Sequence, residues 1–345
     1  MASTLEQVAQ LAGVSRSTVS RVINDHPNVR AKTRTKVWQA IRESGYQPNV
    51  VARSLVTNRT RIISMVIPEA VTTLFTDPFF PLVLRGATEA CNARHYQLML
   101  SLFTASADPH EMYQRVMQNG YLDGAIVSST SLDDPLISDL LRDRIPFISI
   151  GRRPDERVHY VDADNVGGAQ MAVEHLIRLG HRRIAAITGR LDMTAGQDRL
   201  EGYRRALKAH AIPIREELIV EGDFAENSGR VGMQQLLPAS PSAVFAASDM
   251  MAIGALKVLR EAGLQVPQDV SLVGFDDIPI ASVMEPALTT VRQPIERLGA
   301  MAADLLIGRL EECSEAASAH RIILPTELVI RTSCGSALSR SNGRR

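Results

Sequence analysis

Several shortages in this chain each exclude something. Its three cysteines (Cys91, Cys313, Cys334) are odd in number and far apart, which argues against a disulfide framework or a cysteine-built zinc site. Aromatic residues are scarce. No apolar run reaches the roughly 18 residues that span a bilayer, so no membrane association is expected. The opening MASTLEQ has no basic stretch followed by an apolar run, so a secretory signal is not read here and a cytoplasmic location is expected. No G-x-G-x-x-G follows a strand, and neither a P-loop nor a G-x-S-x-G elbow is present. His175 and His181, in EHLIRLGHRRI, come without a nucleophile or a metal-ligand set and read as structural. No catalytic activity, cofactor or metal is expected.

What is present is unevenly placed. Residues 1–60 carry nine Lys/Arg and three Asp/Glu, a net +6, so the rest of this neutral chain is net −6. A basic head on an acidic body fits a nucleic-acid-binding module joined to a separate domain. The head opens with TLEQVAQLAGVSRSTVSRVIN (Thr4–Asn24). Leu5, Val8, Ala9 and Ala12 fall on one helical stripe, and Val19, Val22 and Ile23 on another. Gly13 stands where the first helix must stop, and Ser15 is the right type to N-cap the second. Two short helices joined this way form a helix-turn-helix, whose second helix meets base edges in the major groove. Residues 33–45 predict a third helix, with Val37, Ala40 and Ile41 closing a small core. Pro48 then breaks the chain, Asn49 can cap a short helix through Leu55, and Val56–Arg61 reads as a linker.

The AGVSRSTVSRVIN core, together with QPNVVARSL (Gln47–Leu55), resembles the lac repressor–gal repressor family of bacterial transcription regulators. The resemblance runs to about residue 335. It implies that Arg16 and Ser17 set operator choice and that Arg21 meets a third base. Arginine bonds guanine O6 and N7 in bidentate fashion, which gives such positions their discrimination. Ser15, Thr18 and Ser20 are assigned to phosphate contacts or capping. Thr4 and Asn24 complete the expected DNA-contacting set. The resemblance also makes Leu55 a minor-groove wedge, with Val51 and Ala52 forming the contact between two such helices of a homodimer. Apolar side chains inserted this way unstack bases and kink the duplex. Val56 stands where some members of the family carry a lysine.

From Ile62 the pattern changes. Short β-branched runs (Ile62–Ile67, Tyr96–Leu102, Gly124–Ser128, Pro146–Ile150, Arg183–Thr188, Ala243–Ser248, Val270–Phe275) alternate with amphipathic stretches such as Gly168–Leu179, Asp198–Ala209 and Met250–Ala262. This alternation implies parallel sheets covered on both faces. There are too many units for one sheet, so two similar subdomains are expected. The resemblance implies a periplasmic-binding-protein-like core, crossed three times near Val161–Asp164, Thr289–Gln293 and Leu324–Glu327. The expected fold is thus a small all-α helix-turn-helix head plus an α/β core of two parallel-sheet subdomains. Its expected divisions are a DNA-binding domain at 1–48, a hinge helix and linker at 49–61, a two-lobed ligand-binding and dimerisation core at 62–335, and a disordered tail at 336–345.

A two-lobed α/β core holds its ligand between the lobes, at the C-terminal ends of the strands. By resemblance, Phe79 and Phe80 of DPFF line the pocket, and Arg199 of GQDRLEGY grips effector hydroxyls or carboxylates. Phe224 of GDF stacks on the ligand, and Asp276 of GFDD accepts from its hydroxyls. Ser128, Asp164, Ser248 and Asp249 are further candidates at other strand ends, although Asp249 equally suits a cap for a helix from Met250. A carboxylate–arginine–aromatic set suits a polyhydroxylated ligand, so a carbohydrate ranks ahead of a purine or nucleoside. PEAVTTLFTD, before DPFF, is several residues longer than the family's common short turn. The leading reading is a homodimeric repressor that binds double-stranded operator DNA under the control of a small-molecule effector. The alternatives are a sugar-binding protein without regulatory DNA binding, and a purine- or nucleoside-responsive repressor that needs its corepressor. Leu55→Ala is expected to weaken operator binding far more than binding to random duplex. Titration of both DNAs checks this, and equal losses would remove the wedge role.

Overall fold

The computed structural model describes residues 4–23, 26, 28–46, 59–67, 71–102, 121–128, 131–312 and 319–335. Asn24, Val51, Ala52, Leu55, the expected hinge helix and the tail at 336–345 lie outside these residues. The chain divides into one compact unit of Met1–Arg61 with Tyr121–Asp123, and a second of Ile62–Gly120 with Gly124–Arg345.

In the first unit, α1 (Leu5–Ala12), α2 (Arg16–Ile23) and α3 (Ala31–Ser44) enclose a small core. That core is Val8, Ala9, Ala12, Val19, Val22, Ile23, Val37, Ala40 and Ile41, the residues whose helical spacing marks them in the sequence. The Thr4 hydroxyl accepts the Gln7 N–H while the Gln7 side chain accepts the Thr4 N–H, a capping box that satisfies two otherwise orphaned donors. Gly13, at φ +63°, ends α1 in the left-handed conformation that glycine enters without a Cβ penalty.

The second unit holds two sheets of the same design. In the first lobe the strands are β1 (Ile62–Ile67), β2 (Gln97–Leu102), β3 (Gly124–Ser128), β4 (Phe147–Ile150), β5 (Tyr160–Ala163) and β11 (Arg321–Leu324). In the second they are β6 (Ile184–Thr188), β7 (Ile219–Glu221), β8 (Ala243–Ala246), β9 (Ser271–Asp276), β10 (Thr289–Arg292) and β12 (Glu327–Val329). The spatial orders are β2-β1-β3-β4-β5-β11 and β7-β6-β8-β9-β10-β12. All pairings are parallel except β10–β12. Strands β3, β4, β6, β8 and β9 are buried along their whole length, as parallel strands covered by helices on both faces must be.

The helices of the first lobe are α4 (Val71–Thr76), α5 (Phe79–Ala93), α6 (Pro135–Arg142) and α11 (Ile295–Glu312). Those of the second are α7 (Asn165–Arg178), α8 (Thr194–Ala209), α9 (Glu226–Leu236) and α10 (Asp249–Glu261). Each lobe has its own apolar core, one around Ile63, Met65, Ile126 and Leu306, the other around Tyr203, Phe245 and Phe275. The chain passes between lobes after β5, after β10 and between β11 and β12, close to the three expected places.

Some boundaries differ from the sequence reading. Helices α7 and α8 begin at Asn165 and Thr194, earlier than their apolar periodicity suggests, because their first turns are polar. Strand β8 stops at Ala246, since Ser248 turns the chain to cap α10. Strand β10 occupies most of a segment read as a crossover, and β5, β7, β11 and β12 are three or four residues long, too short to stand out by pattern. The long segment before DPFF contains α4.

Helices α5 and α11 touch backbone to backbone. A Cβ on Gly86 would lie 1.9 Å from the Glu296 carbonyl oxygen, and one on Gly299 would lie 2.1 Å from that of Val83. Gly86→Val is therefore expected to destabilise the first lobe by about 2–3 kcal/mol, as overpacking does. Thermal unfolding checks this, and an unchanged melting temperature would contradict so close an approach.

Candidate functional site: an interlobe cleft and a DNA-facing helix

The C-terminal ends of both sheets face a cleft that contains a cavity of about 460 Å³. The first lobe contributes Thr76, Asp77, Phe79 and Phe80; the second contributes Met193, Arg199, Phe224, Asn227, Arg230 and Asp276. Gln293, at the second crossover, lies on the floor. Phe79 and Phe80 open α5 and meet edge to face, with ring centroids 5.4 Å apart. The Phe79 N–H bonds to the Asp77 carboxylate at 2.9 Å, which fixes this turn at the cavity wall.

Arg199 organises the floor. It is 5% exposed and lies on α8. Its Nε donates to Asn165 Oδ1 at 2.9 Å, and its Nη1 donates to the Ala247 carbonyl at 2.5 Å and to Asp276 Oδ1 at 3.2 Å. The guanidinium also lies 3.8 Å from the centroid of the Phe275 ring, a cation–π contact. Gln293 Nε2 donates to the same Asp276 oxygen at 2.6 Å. From Asn165 the network continues to Asp162 on β5, whose carboxylate accepts the Asn165 amide at 3.1 Å and the Arg152 N–H at 3.0 Å. The chain of polar contacts therefore runs through two of the three crossovers.

Burial sets the protonation of these groups. It pushes the Asp276 carboxyl up to about 7, although the Arg199 guanidinium opposes the shift. Asp162 is raised to about 6 by the same cause, opposed by the Arg152 and Ala163 backbone N–H groups that donate to it. Burial lowers the Arg199 pKa, and Asp276 and Asp162 hold it back. Because the Asp276 pKa is raised in the folded state, its ionisation carries a stability cost that grows as pH rises from 3.8 to about 7.

Phe224 has φ +73°, an outlier for a bulky side chain, and its ring lies against Gly189. Its carbonyl accepts a hydrogen bond from the Ser248 hydroxyl at 2.8 Å. That conformation sets the ring on the cavity wall, 5.6 Å from the Arg199 guanidinium. Beside the main cavity, a smaller one of about 80 Å³ is lined by Ser128, Gly151, Arg152, Arg153, Asp162, Asn165 and Thr194. Ser128 Oγ is buried there with no hydrogen-bond partner among the described residues.

The structure thus gathers Phe79, Phe80, Arg199, Phe224 and Asp276 around one cavity and places Ser128 in its neighbour. Three other candidates are elsewhere. Asp164 is exposed and caps α7 through the Gly167 N–H. Ser248 is spent on the Met251 N–H and the Phe224 carbonyl. Asp249 is fully buried, accepting from the Ile278 N–H and the Thr290 hydroxyl, and it does not cap α10, because Ser248 does. Gln293, Asp77, Met193, Asn227 and Arg230 were missed. Gln293 alone had a visible signal, as a polar residue just before Pro294 in a segment read as a crossover. His181 bonds Ser242 and the Gly335 carbonyl, which fits its structural reading.

In the first unit, Ser15 caps α2, its hydroxyl accepting the Thr18 N–H at 3.2 Å. Arg16, Ser17 and Arg21 are exposed on α2, while Thr18 and Ser20 are half-buried. Thr4 is accounted for by its capping box.

Three contacts close the cleft outside the cavity. Arg152 Nη2 meets Asp198 Oδ1 at 2.5 Å, the Thr194 hydroxyl donates to the Arg152 carbonyl at 2.7 Å, and the Leu132 N–H donates to the Asp192 carbonyl at 2.7 Å. Asp198→Asn is expected to speed hydrogen exchange at the Leu132 amide roughly fivefold, the size of a partly exposed ion pair. Unchanged exchange there would show that the pair does not hold the lobes together.

Comparison with known proteins adds the following. Residues 4–49 match the model of bacterial regulatory proteins of the lacI family, and residues 173–334 match a periplasmic binding protein-like domain. The HTH-type transcriptional regulator CelR of Thermobifida fusca is 43% identical over 335 residues, spanning 96% of this chain and 98% of the relative. The ribose operon repressor of Escherichia coli K12 is 39% identical, spanning 90% of this chain and 94% of the relative. Among solved structures, a transcriptional regulator CelR–cellobiose complex is 42% identical with a TM-score of 0.76, covering 96% of this chain and 99% of that one. The lac repressor dimer bound to operator and the anti-inducer ONPF is 28% identical with a TM-score of 0.81, covering 97% of this chain and all of the other.

Proposed function

The chain belongs to the lacI family of bacterial regulatory proteins, and from that premise we propose how its two sites work together. It is a sequence-specific DNA-binding transcriptional regulator and not an enzyme. The exposed N-terminal face of α2 reads the operator, with Arg16, Ser17 and Arg21 as base-contacting residues. Two copies of the chain act as a homodimer, one on each half of a pseudo-palindrome.

The effector is a sugar held in the cleft. The observation that carries this is the pairing of two aromatic walls, Phe79 from one lobe and Phe224 from the other, with the Arg199–Asp276 pair on the floor. Aromatic faces suit the apolar faces of a sugar ring, and the charged pair suits its hydroxyls. A disaccharide is favoured, because the cavity meets a second polar compartment at Ser128 and because a similar protein has been solved with cellobiose. Contacts to both lobes bind the closed cleft better than the open one, which shifts the conformational population and, through it, DNA affinity.

The test is selection of duplexes from a random pool, followed by titration of the selected operator with cellobiose, ribose and a purine base. A pseudo-palindrome is expected, and cellobiose should lower operator affinity by about tenfold or more. Phe79→Ala should bind operator normally yet need roughly tenfold more cellobiose. No enriched sequence, either alone or with each of the three ligands present, would overturn the regulator reading. A response to the purine base alone would overturn the sugar.

A further inference from the structure

We infer that Glu6, on α1, is a positioning residue for operator specificity that acts by orienting Arg16. The inference rests on the reading of Arg16 as a base-contacting residue. Glu6 Oε1 lies 3.1 Å from Arg16 Nη1, across the turn between the two helices. Glu6 sits in the first turn of α1, where the capping box at Thr4 and Gln7 and the buried Val8 and Ala9 fix the backbone. The carboxylate is therefore presented from a rigid element, and the arginine is the first residue of α2.

The side chains of Arg16 and Glu6 are 72% and 61% exposed, so the pair adds little to the stability of the head. Its effect is on orientation. An arginine reads guanine only when its planar fork is presented edge-on to O6 and N7. A carboxylate on Nη1 leaves the Nε–Nη2 edge for the base. The neighbouring residue is restrained too, since Ser17 Oγ lies 2.8 Å from Ser15 Oγ, which in turn lies 2.8 Å from Thr18 Oγ1. Both residues at the tip of α2 are thus held by side chains of the head. A carboxylate at this surface also repels phosphates, so Glu6 lowers non-specific affinity while it sharpens base choice.

The experiment uses the full chain and a panel of duplexes in which each base pair of one selected half-site is replaced in turn. Arg16→Ala should flatten the preference at one position. Glu6→Ala should weaken the preference at that same position about fivefold and raise non-specific binding. The double variant should lose no more there than Arg16→Ala alone. Glu6→Gln keeps an acceptor oxygen without the charge, so it should raise non-specific binding yet retain most of the base preference. Full preference in Glu6→Ala at the position lost in Arg16→Ala would overturn the inference, as would a change at a different position. If Arg16→Ala left every position intact, the base-contact reading would fail and the inference with it, a pattern distinct from failure of Glu6 alone.

Discussion

Burying the Arg199 guanidinium between the lobes costs several kcal/mol of lost hydration, and most of the cleft's polar architecture offsets that cost. Asp276 supplies the counter-charge, Asn165 and the Ala247 carbonyl accept its hydrogen bonds, and the Phe275 ring lies against it. Removing any one partner would leave a buried charge under-compensated, so these groups act as a unit. Asn165 follows the first crossover and Gln293 marks the second, so the arginine is tied, directly and through Asp276, to two of the segments that join the lobes.

The cleft also stores backbone strain. Phe224, Asp276 and Asp277 all have positive φ, and none is glycine. Such residues persist only where their surroundings over-determine them. Ser248 holds the Phe224 carbonyl, while Arg292 and Arg331 bind the Asp277 carboxylate at 2.6 Å each. The result is an aromatic wall and a carboxylate presented from rigid strand ends, with little reorganisation left for ligand binding to supply.

The head follows a different economy. Its core is small, local and apolar, and its candidate base-contacting side chains, Arg16, Ser17 and Arg21, are exposed. A surface ion pair such as Glu6–Arg16 matters little for folding. If α2 presents Arg16 to a base edge, as proposed above, the same pair bears on which base is chosen. The two units thus place their chemistry oppositely, with buried charge in the cleft and exposed charge on the helix.

How much was legible in the sequence follows from the range of the interactions. The three head helices and Gly13 were readable because caps and apolar spacing act within a few residues. The long buried strands were readable as β-branched runs, whereas β5, β7, β11 and β12 exist only through pairing with distant strands. Phe79, Phe80, Arg199, Phe224 and Asp276, singled out by motifs and resemblance, line the same cavity. Asp164, Ser248 and Asp249 line neither cavity and bond nearby groups instead, because a polar residue at a strand end can face the cleft or satisfy nearby backbone. By itself, the sequence determined a basic helix-turn-helix joined to a doubled α/β core with a carboxylate–arginine–aromatic set. Only the tertiary structure decided which carboxylate pairs with Arg199 and that Gln293 joins them. The partners of that arginine lie 34, 48 and 77 residues away, and no local pattern encodes contacts made by packing.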